Sequence, residues 1–418
     1  MLINRGFLSL RMMPAKGNMG RRTIPHWAAV AACLVVSFEA KALDLGGVDW
    51  QLHGFASQGF TYTTSNQVFG ASRGGSLDFT EVGINGSVRP LPNLLLSAQG
   101  LYRNTGGSDR EDFRLDFAQV DYNGTFLESA LTVGVRAGRV KIPFGLYNDT
   151  RDVVWTRPSV ILPQSIYFDT LGLRQAMIAA DGGLLYSRYN WGKHRFNLEF
   201  LVAEPQDDTG DAADFLTGML DAPGRMTGRP LFLGRAVYEW MGGRARAMFS
   251  VVDLDRDFRS RSSAVPSGKI QALYPLFSLQ YNAEDWSLTA EYGWVHQRRS
   301  GFLPVPMEGT SEGFYVQGEY RLSEDWSAVL RYDVFHADRD DRSGRSLARQ
   351  TGQARHRFYA RDLAVGLRWE FLPNWLIAAE YHNVDGTAWL SPHDNSELLT
   401  GGGDPHWDLF SVMVSFRF

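Results

Sequence analysis

WSAVLRYDVF, residues 326–335, has two characters at once. Trp326, Ala328, Leu330, Tyr332 and Val334 put apolar atoms on one side of an extended chain, while Ser327, Val329, Arg331, Asp333 and Phe335 put charge on the other. A period of two marks a strand, because successive side chains leave a pleated backbone on opposite faces. The pattern returns at Trp286, Leu288, Ala290, Tyr292 and Trp294 against Ser287, Thr289, Glu291, Gly293 and Val295. It returns again at Leu363, Val365, Leu367, Trp369 and Phe371 against Asp362, Ala364, Gly366, Arg368 and Glu370. Strands of a soluble sandwich also alternate, but most run to about five or six residues. These reach about ten or more, the length a tilted strand needs to cross a bilayer.

Outward from these segments, the connections alternate between tight and long. The tight ones are Leu91-Pro92-Asn93, Gly124 to Glu128, Trp191-Gly192-Lys193, Gly242-Gly243, Asn282 to Asp285, Ser323-Glu324-Asp325 and Pro373-Asn374. The long ones fall near 64–77, 105–112, 142–174, 205–228, 254–267, 299–311, 338–354 and 388–405. Short turns on one rim and long loops on the other are the arrangement of an antiparallel barrel in an outer membrane, with about sixteen strands between them. Trp191, Trp240, Trp286, Trp326 and Trp375 each stand in or beside a short turn, and Glu-Asp-Trp-Ser occurs at both 284–287 and 324–327. Indoles repeated at hairpin spacing mark one membrane interface. The last strand carries Phe410, Val412, Val414, Phe416 and Phe418 on one face, which resembles the C-terminal signature of outer-membrane barrels. A sheet edge cannot stay open in lipid, so this strand is expected to pair with the first, near Trp50 to Tyr62.

Composition agrees with one large barrel. The chain has 418 residues, 44% hydrophobic and 13% aromatic, with 43 glycines and a slightly negative mean hydropathy. An apolar outside around a polar inside gives that mixture. The net charge of -4, with no concentration of basic residues, excludes a nucleic-acid surface. Arg21 and Arg22, the apolar stretch Trp27 to Phe38 and the small-x-small site Ala40-Lys41-Ala42 read as a secretory signal peptide over 1–42, with the barrel over 43–418. The residues before Met19 read as an over-extended start or a long basic region. Val30-Ala31-Ala32-Cys33 also resembles a lipoprotein box, but cleavage there would leave an apolar start, Leu34 to Phe38. Removal of 1–42 takes away Cys33, the only cysteine.

The longest connection, 142–174, follows the fifth strand and contains Pro143, Pro158 and Pro163. Proline removes a ladder donor, so the segment is a loop, and Phe144, Tyr147, Trp155, Ile161 and Tyr167 argue that it is ordered. Gly138-Arg139 through Pro143-Phe144-Gly145, ending a strand ahead of a long third loop, resembles the porin superfamily and is similar to the phosphate-selective O/P group. The resemblance implies a third loop folded into the lumen, a narrowed pore and a homotrimer. It implies passive diffusion of small hydrophilic solutes or ions across a cell outer membrane, among lipid and lipopolysaccharide, with no cofactor, no metal and no catalysis. The family's ladder of basic residues is not recognisable.

From the residues alone, the loop sets Lys141, Arg151, Arg157 and Arg174 against Asp149, Asp152 and Asp169, and the pore constriction is expected at Lys141, Asp149, Arg151, Asp152 and Arg157, with Arg151 or Arg157 facing the pore. These charges would equally serve to pin the loop to the wall through ion pairs. Inward positions elsewhere mix Glu81, Glu199, Glu291, Glu319, Asp333 and Glu380 with Arg195, Arg235, Arg246, Arg321, Arg331 and Arg368. His336 and His382 stand high on strands without a serine motif, Asp207, Asp208, Asp211, Asp214 and Asp221 read as a solvated acidic loop, and the charges of 338–354 as a surface facing lipopolysaccharide. The competing reading is a closed barrel acting as an adhesin, receptor or enzyme.

Overall fold

A computed structural model describes residues 49–109, 112–208, 210–302 and 307–418. The signal peptide read at 1–42 lies outside the described residues. The strands are β1 (Asp49–Thr63), β2 (Thr80–Leu91), β3 (Leu94–Asn104), β4 (Asp112–Phe126), β5 (Leu131–Lys141), β6 (Ala179–Trp191), β7 (His194–Pro205), β8 (Gly224–Gly228) and β9 (Leu231–Trp240). They continue with β10 (Ala245–Ser260), β11 (Gly268–Asn282), β12 (Trp286–Ser300), β13 (Met307–Arg321), β14 (Trp326–His336), β15 (Tyr359–Leu372), β16 (Trp375–Gly386) and β17 (His406–Arg417). Among the described residues four short helices stand in the long connections: α1 (Gln164–Tyr167), α2 (Arg174–Ile178), α3 (Gly210–Thr217) and α4 (Arg345–Thr351).

β8 and β9 are two halves of one wall strand. β8 pairs the far end of β10 from Arg256↔Gly228 to Ser260↔Gly224, and β9 pairs its near end from Asp253↔Phe232 to Ala245↔Trp240. Between them stands Arg229-Pro230, where proline withholds the ladder donor. Sixteen wall strands result, all antiparallel. β1 closes the ring against β17 from Phe55↔Arg417 to Thr63↔Leu409, and Gly54 and Phe418 exchange backbone hydrogen bonds of 3.1 and 3.0 Å at the seam.

The wall is apolar outward and polar inward. On β14, Leu330 is 57% exposed on the outer face while the neighbouring Arg331 and Asp333 are buried inside. Trp326 and Trp369 stack at 5.0 Å and Trp375 lies 4.8 Å from Phe416, giving the short-turn rim an aromatic girdle.

Three of the long connections are shorter than the sequence suggests. β8 occupies 224–228, β10 runs on to Ser260, and β12 and β13 reach Ser300 and Met307, so the loops expected at 205–228, 254–267 and 299–311 shrink. The apolar alternation stops at the membrane edge, but the backbone ladder does not. Leu254-Asp255-Arg256-Asp257-Phe258 remains fully paired to β11 although its pattern is no longer that of a lipid-facing strand.

Candidate functional site

The segment between Lys141 and Ala179 crosses the inside of the ring. Its entrance depends on Gly145, whose φ of +59° suits glycine, and a Cβ there would lie 2.7 Å from the Tyr167 hydroxyl and 3.0 Å from Glu291. The backbone therefore passes directly over β12.

The wall supplies partners for a segment that has no sheet of its own. The Glu291 carboxylate accepts the Leu146 N–H at 3.0 Å and the Tyr167 hydroxyl at 2.6 Å. Asp333 on β14 accepts the Gln164 and Ser165 N–H groups at 2.7 and 3.3 Å. Glu380 on β16 accepts those of Val160 and Ile161 at 3.0 and 2.9 Å, and His382 bridges Glu380 and Asp362 at 3.0 and 2.7 Å. Arg331 donates to the Ser159 hydroxyl at 3.1 Å, and Arg368 donates to the Trp155 and Arg157 carbonyls. Buried backbone groups must find partners, and here inward carboxylates and arginines provide them.

The five expected constriction residues divide into two groups. Lys141 pairs with Asp152 at 2.6 Å and donates to the Asp149 carbonyl, and Asp149 pairs with Arg235 of β9 at 2.7 Å, where Arg235 also holds Glu199. Lys141 and Asp149 are 18% and 39% exposed at their side chains. Arg151, Asp152 and Arg157 are buried. Arg151 donates to the carbonyls of Tyr167 and Arg174 at 3.1 and 3.3 Å. Arg157 pairs with Glu81 at 2.7 Å, and Glu81 continues through Arg103 to Asp109 and Arg114. Neither arginine borders open water, which differs from the orientation expected of them. Each instead satisfies groups that would otherwise be left unpaired.

The electrostatics follow the same division. Burial works to raise the Asp152 and Asp169 carboxyls, and the cations beside them, Lys141 for the first and Arg151 for the second, hold both below the ordinary carboxylate value. Burial pushes Arg151 down to about 10.

Among the described residues no group of three or more His, Cys, Asp or Glu could hold a metal. Asp207 is spent on Arg256 at 2.7 Å, Asp208 accepts the Met226 N–H and Asp214 faces His393 at 3.1 Å, so these acidic residues have local partners. Gln99, Asp116 and Ser250, which also serve the loop, are not evident as site residues in the sequence. Inward parity combined with polarity was the available signal, and for neutral residues it does not discriminate.

No family model and no curated relative matches the chain. Solved structures do, across nearly its whole length. The outer membrane channel DcaP of Acinetobacter baumannii has a TM-score of 0.56 at 12% identity, covering 91% of this chain and 100% of that one. An anion-selective porin from Comamonas acidovorans has 0.51 at 12%, covering 88% and 99%. OmpT of Vibrio cholerae, in a structure of its trimer form, has 0.51 at 8%, covering 89% and 99%. This chain is an outer-membrane β-barrel. Its closed ring of sixteen antiparallel strands and its apolar outer belt place it in the cell outer membrane.

Proposed function

We propose that the barrel is a porin, a passive channel for small hydrophilic solutes or ions, narrowed by the segment from Lys141 to Ala179. The carrying observation lies on the short-turn side of that segment. Inward-facing Arg136, Arg195 and Arg246 are 30%, 46% and 40% exposed at their side chains, inside a wall whose other face is apolar. Their accessibility supports an aqueous vestibule leading to the partly exposed Lys141 and Asp149. Each is ion-paired, Arg136 with Asp121 and both Arg195 and Arg246 with Glu239, so this group sets three fixed positive charges against two negative ones and leans toward anions. Kinship with the phosphate-selective O/P group is supported by 138–145 alone, where Gly145 sets the loop entrance. No enzymatic role is proposed.

Single-channel recording of purified, refolded protein in planar bilayers tests the reading, with ohmic conductance expected. The second reading, a closed barrel serving as an adhesin, receptor or enzyme, draws on the burial of Arg151, Asp152 and Arg157 and predicts no conductance.

A selectivity experiment follows. Replacing Arg151 and Arg157 together by alanine removes the ion-pair partner of Asp169 and one of the two ion-pair partners of Glu81, so the lumen becomes more negative. The reversal potential in a salt gradient should move toward cations, with conductance unchanged or increased. An unshifted potential in a folded double variant would withdraw the selectivity claim.

A further inference from the structure

Above the crossing segment, on the long-loop side, the barrel encloses a cavity of about 330 Å³ whose chemistry is unlike the vestibule below. It lies between the segment, α3 and the inward faces of β10 to β14. Phe168, Leu173 and Met177 contribute from the segment, Phe215 and Leu216 from α3, and Val252 and Tyr274 from the wall. Phe168 takes a left-handed backbone, φ 50°, and its ring packs edge-on to Phe335 at 5.7 Å. A non-glycine residue seldom adopts that conformation, and here the ring it carries is packed on an aromatic neighbour.

The polar side chains around the cavity are Asp207, Tyr274, Gln297, Arg299 and Ser311, and the Tyr274 hydroxyl donates to the Ile166 carbonyl at 3.4 Å. Asp207 is engaged by the Arg256 guanidinium. Arg299 reaches the Phe215 carbonyl at 3.3 Å and the Gln297 side chain at 3.4 Å, and its Nε is buried with no hydrogen-bond partner. No carboxylate pairs with Arg299 among the described residues. A guanidinium largely withdrawn from water, at the wall of an apolar cavity and without a counter-charge, is costly unless something completes it.

We propose that this cavity is a binding site for a small amphipathic carboxylate, with its apolar body among Phe168, Phe215 and Val252 and its carboxylate on Arg299. An apolar cavity of about 150 Å³ accepts one benzene ring. This one has about twice that volume, which suits a two-ring aromatic acid. A planar guanidinium recognises a carboxylate through two parallel N–H donors, whereas an alcohol or amine of the same shape gains no such pair.

The probe is 2-naphthoate, measured by equilibrium dialysis against the native protein in lipid nanodiscs, with empty nanodiscs as the blank and 2-naphthalenemethanol as the uncharged analogue. Naphthoate should bind saturably and about tenfold more tightly than the alcohol, the gain expected of one charge-assisted contact. Arg299→Gln should erase the preference while the alcohol still binds, Arg299→Lys should retain part of it, and Ala272→Trp, which fills the cavity from β11, should remove both. Heat-modifiable migration in gels checks that each variant has folded. Absence of saturable binding to the native protein, a preference that survives Arg299→Gln, or binding that survives Ala272→Trp would each overturn the site. The readout is equilibrium binding, so a barrel that binds without conducting refutes the channel reading and leaves this one standing.

Discussion

At Gly145 a side chain is excluded twice, by a positive φ and by the Tyr167 hydroxyl 2.7 Å from where a Cβ would stand. Gly145→Ala should therefore destabilise the loop entrance by roughly 1–3 kcal/mol while leaving the wall intact. Hydrogen exchange read by mass spectrometry should show loss of protection confined to peptides of 142–167. Asp341 presents the opposite case, one side chain that creates order. Its carboxylate accepts the N–H groups of Arg345, Ser346 and Leu347 at 3.0, 2.6 and 2.9 Å, capping the start of α4. Slight burial opposes its ionisation, and the Leu347 and Ser346 N–H groups outweigh this and hold the carboxyl below its ordinary value of 3.8. A depressed carboxyl contributes stability above its unfolded pKa and loses it as pH falls through the folded one. Protection factors over 345–351 should thus be flat from neutral pH down to about 5, then fall below 3.8. Asp341→Ala should lower them at neutral pH by about 1 kcal/mol, typical of a lost helix cap.

At the scale of elements, the strands and the crossing segment are held by different means. Strand pairs depend on backbone ladders that side-chain changes leave in place, whereas the segment depends on a few carboxylates. Removing Asp333 and Glu380 together strands four loop N–H groups, those of Val160, Ile161, Gln164 and Ser165, at about 1–3 kcal/mol for each buried group. The Asp333→Ala, Glu380→Ala variant should be cleaved by added protease within 158–167 while its barrel still migrates as a folded, heat-modifiable band. Resistance of that stretch to protease would mean the apolar cluster around Leu162 and Ile166 suffices to hold it. The same contrast explains what was legible in the sequence. Period-two alternation reports a membrane-facing strand directly, so β12, β14 and β15 could be read residue by residue. Above the membrane the alternation lapses, and Leu254 to Ser260 looked like loop although its ladder continues. The charges of the segment could be identified, but their partners could not, because Glu81 and Arg157 are 76 residues apart in the chain and meet only once the ring has closed.

Around the whole barrel the outer surface is uneven. On β11 to β15 it carries Leu279, Leu288, Leu330, Leu363 and Val365, all exposed, as a face in contact with acyl chains should. On β2 to β5 a patch of small residues interrupts the outward Ile84, Leu115, Tyr122 and Val135: Gly86, Ala98, Ala118 and Ala137 follow one another across the register pairs Gly86↔Ala98, Ala98↔Ala118 and Val120↔Ala137, with Trp50 beside them. The charged pair Arg139 and Asp181, 2.8 Å apart, occupies the same outer face at the strands' upper end. Ion pairs are disfavoured against lipid, and small residues allow backbones to approach closely. Together they support protein contact on this side of the ring, and with it we propose the homotrimer that the porin resemblance implies. Ala137→Trp places an indole in the middle of that face without touching the lumen or the seam. Native mass measurement in mild detergent should then show the trimer replaced by monomer, while each monomer keeps the heat-modifiable migration of a closed barrel. A bulky outward residue on the opposite side, Ala290→Trp on β12, should leave the oligomer unchanged. If both variants remain trimeric, subunit contact through β2 to β5 is ruled out, and the small outward residues belong to a lipid-facing surface.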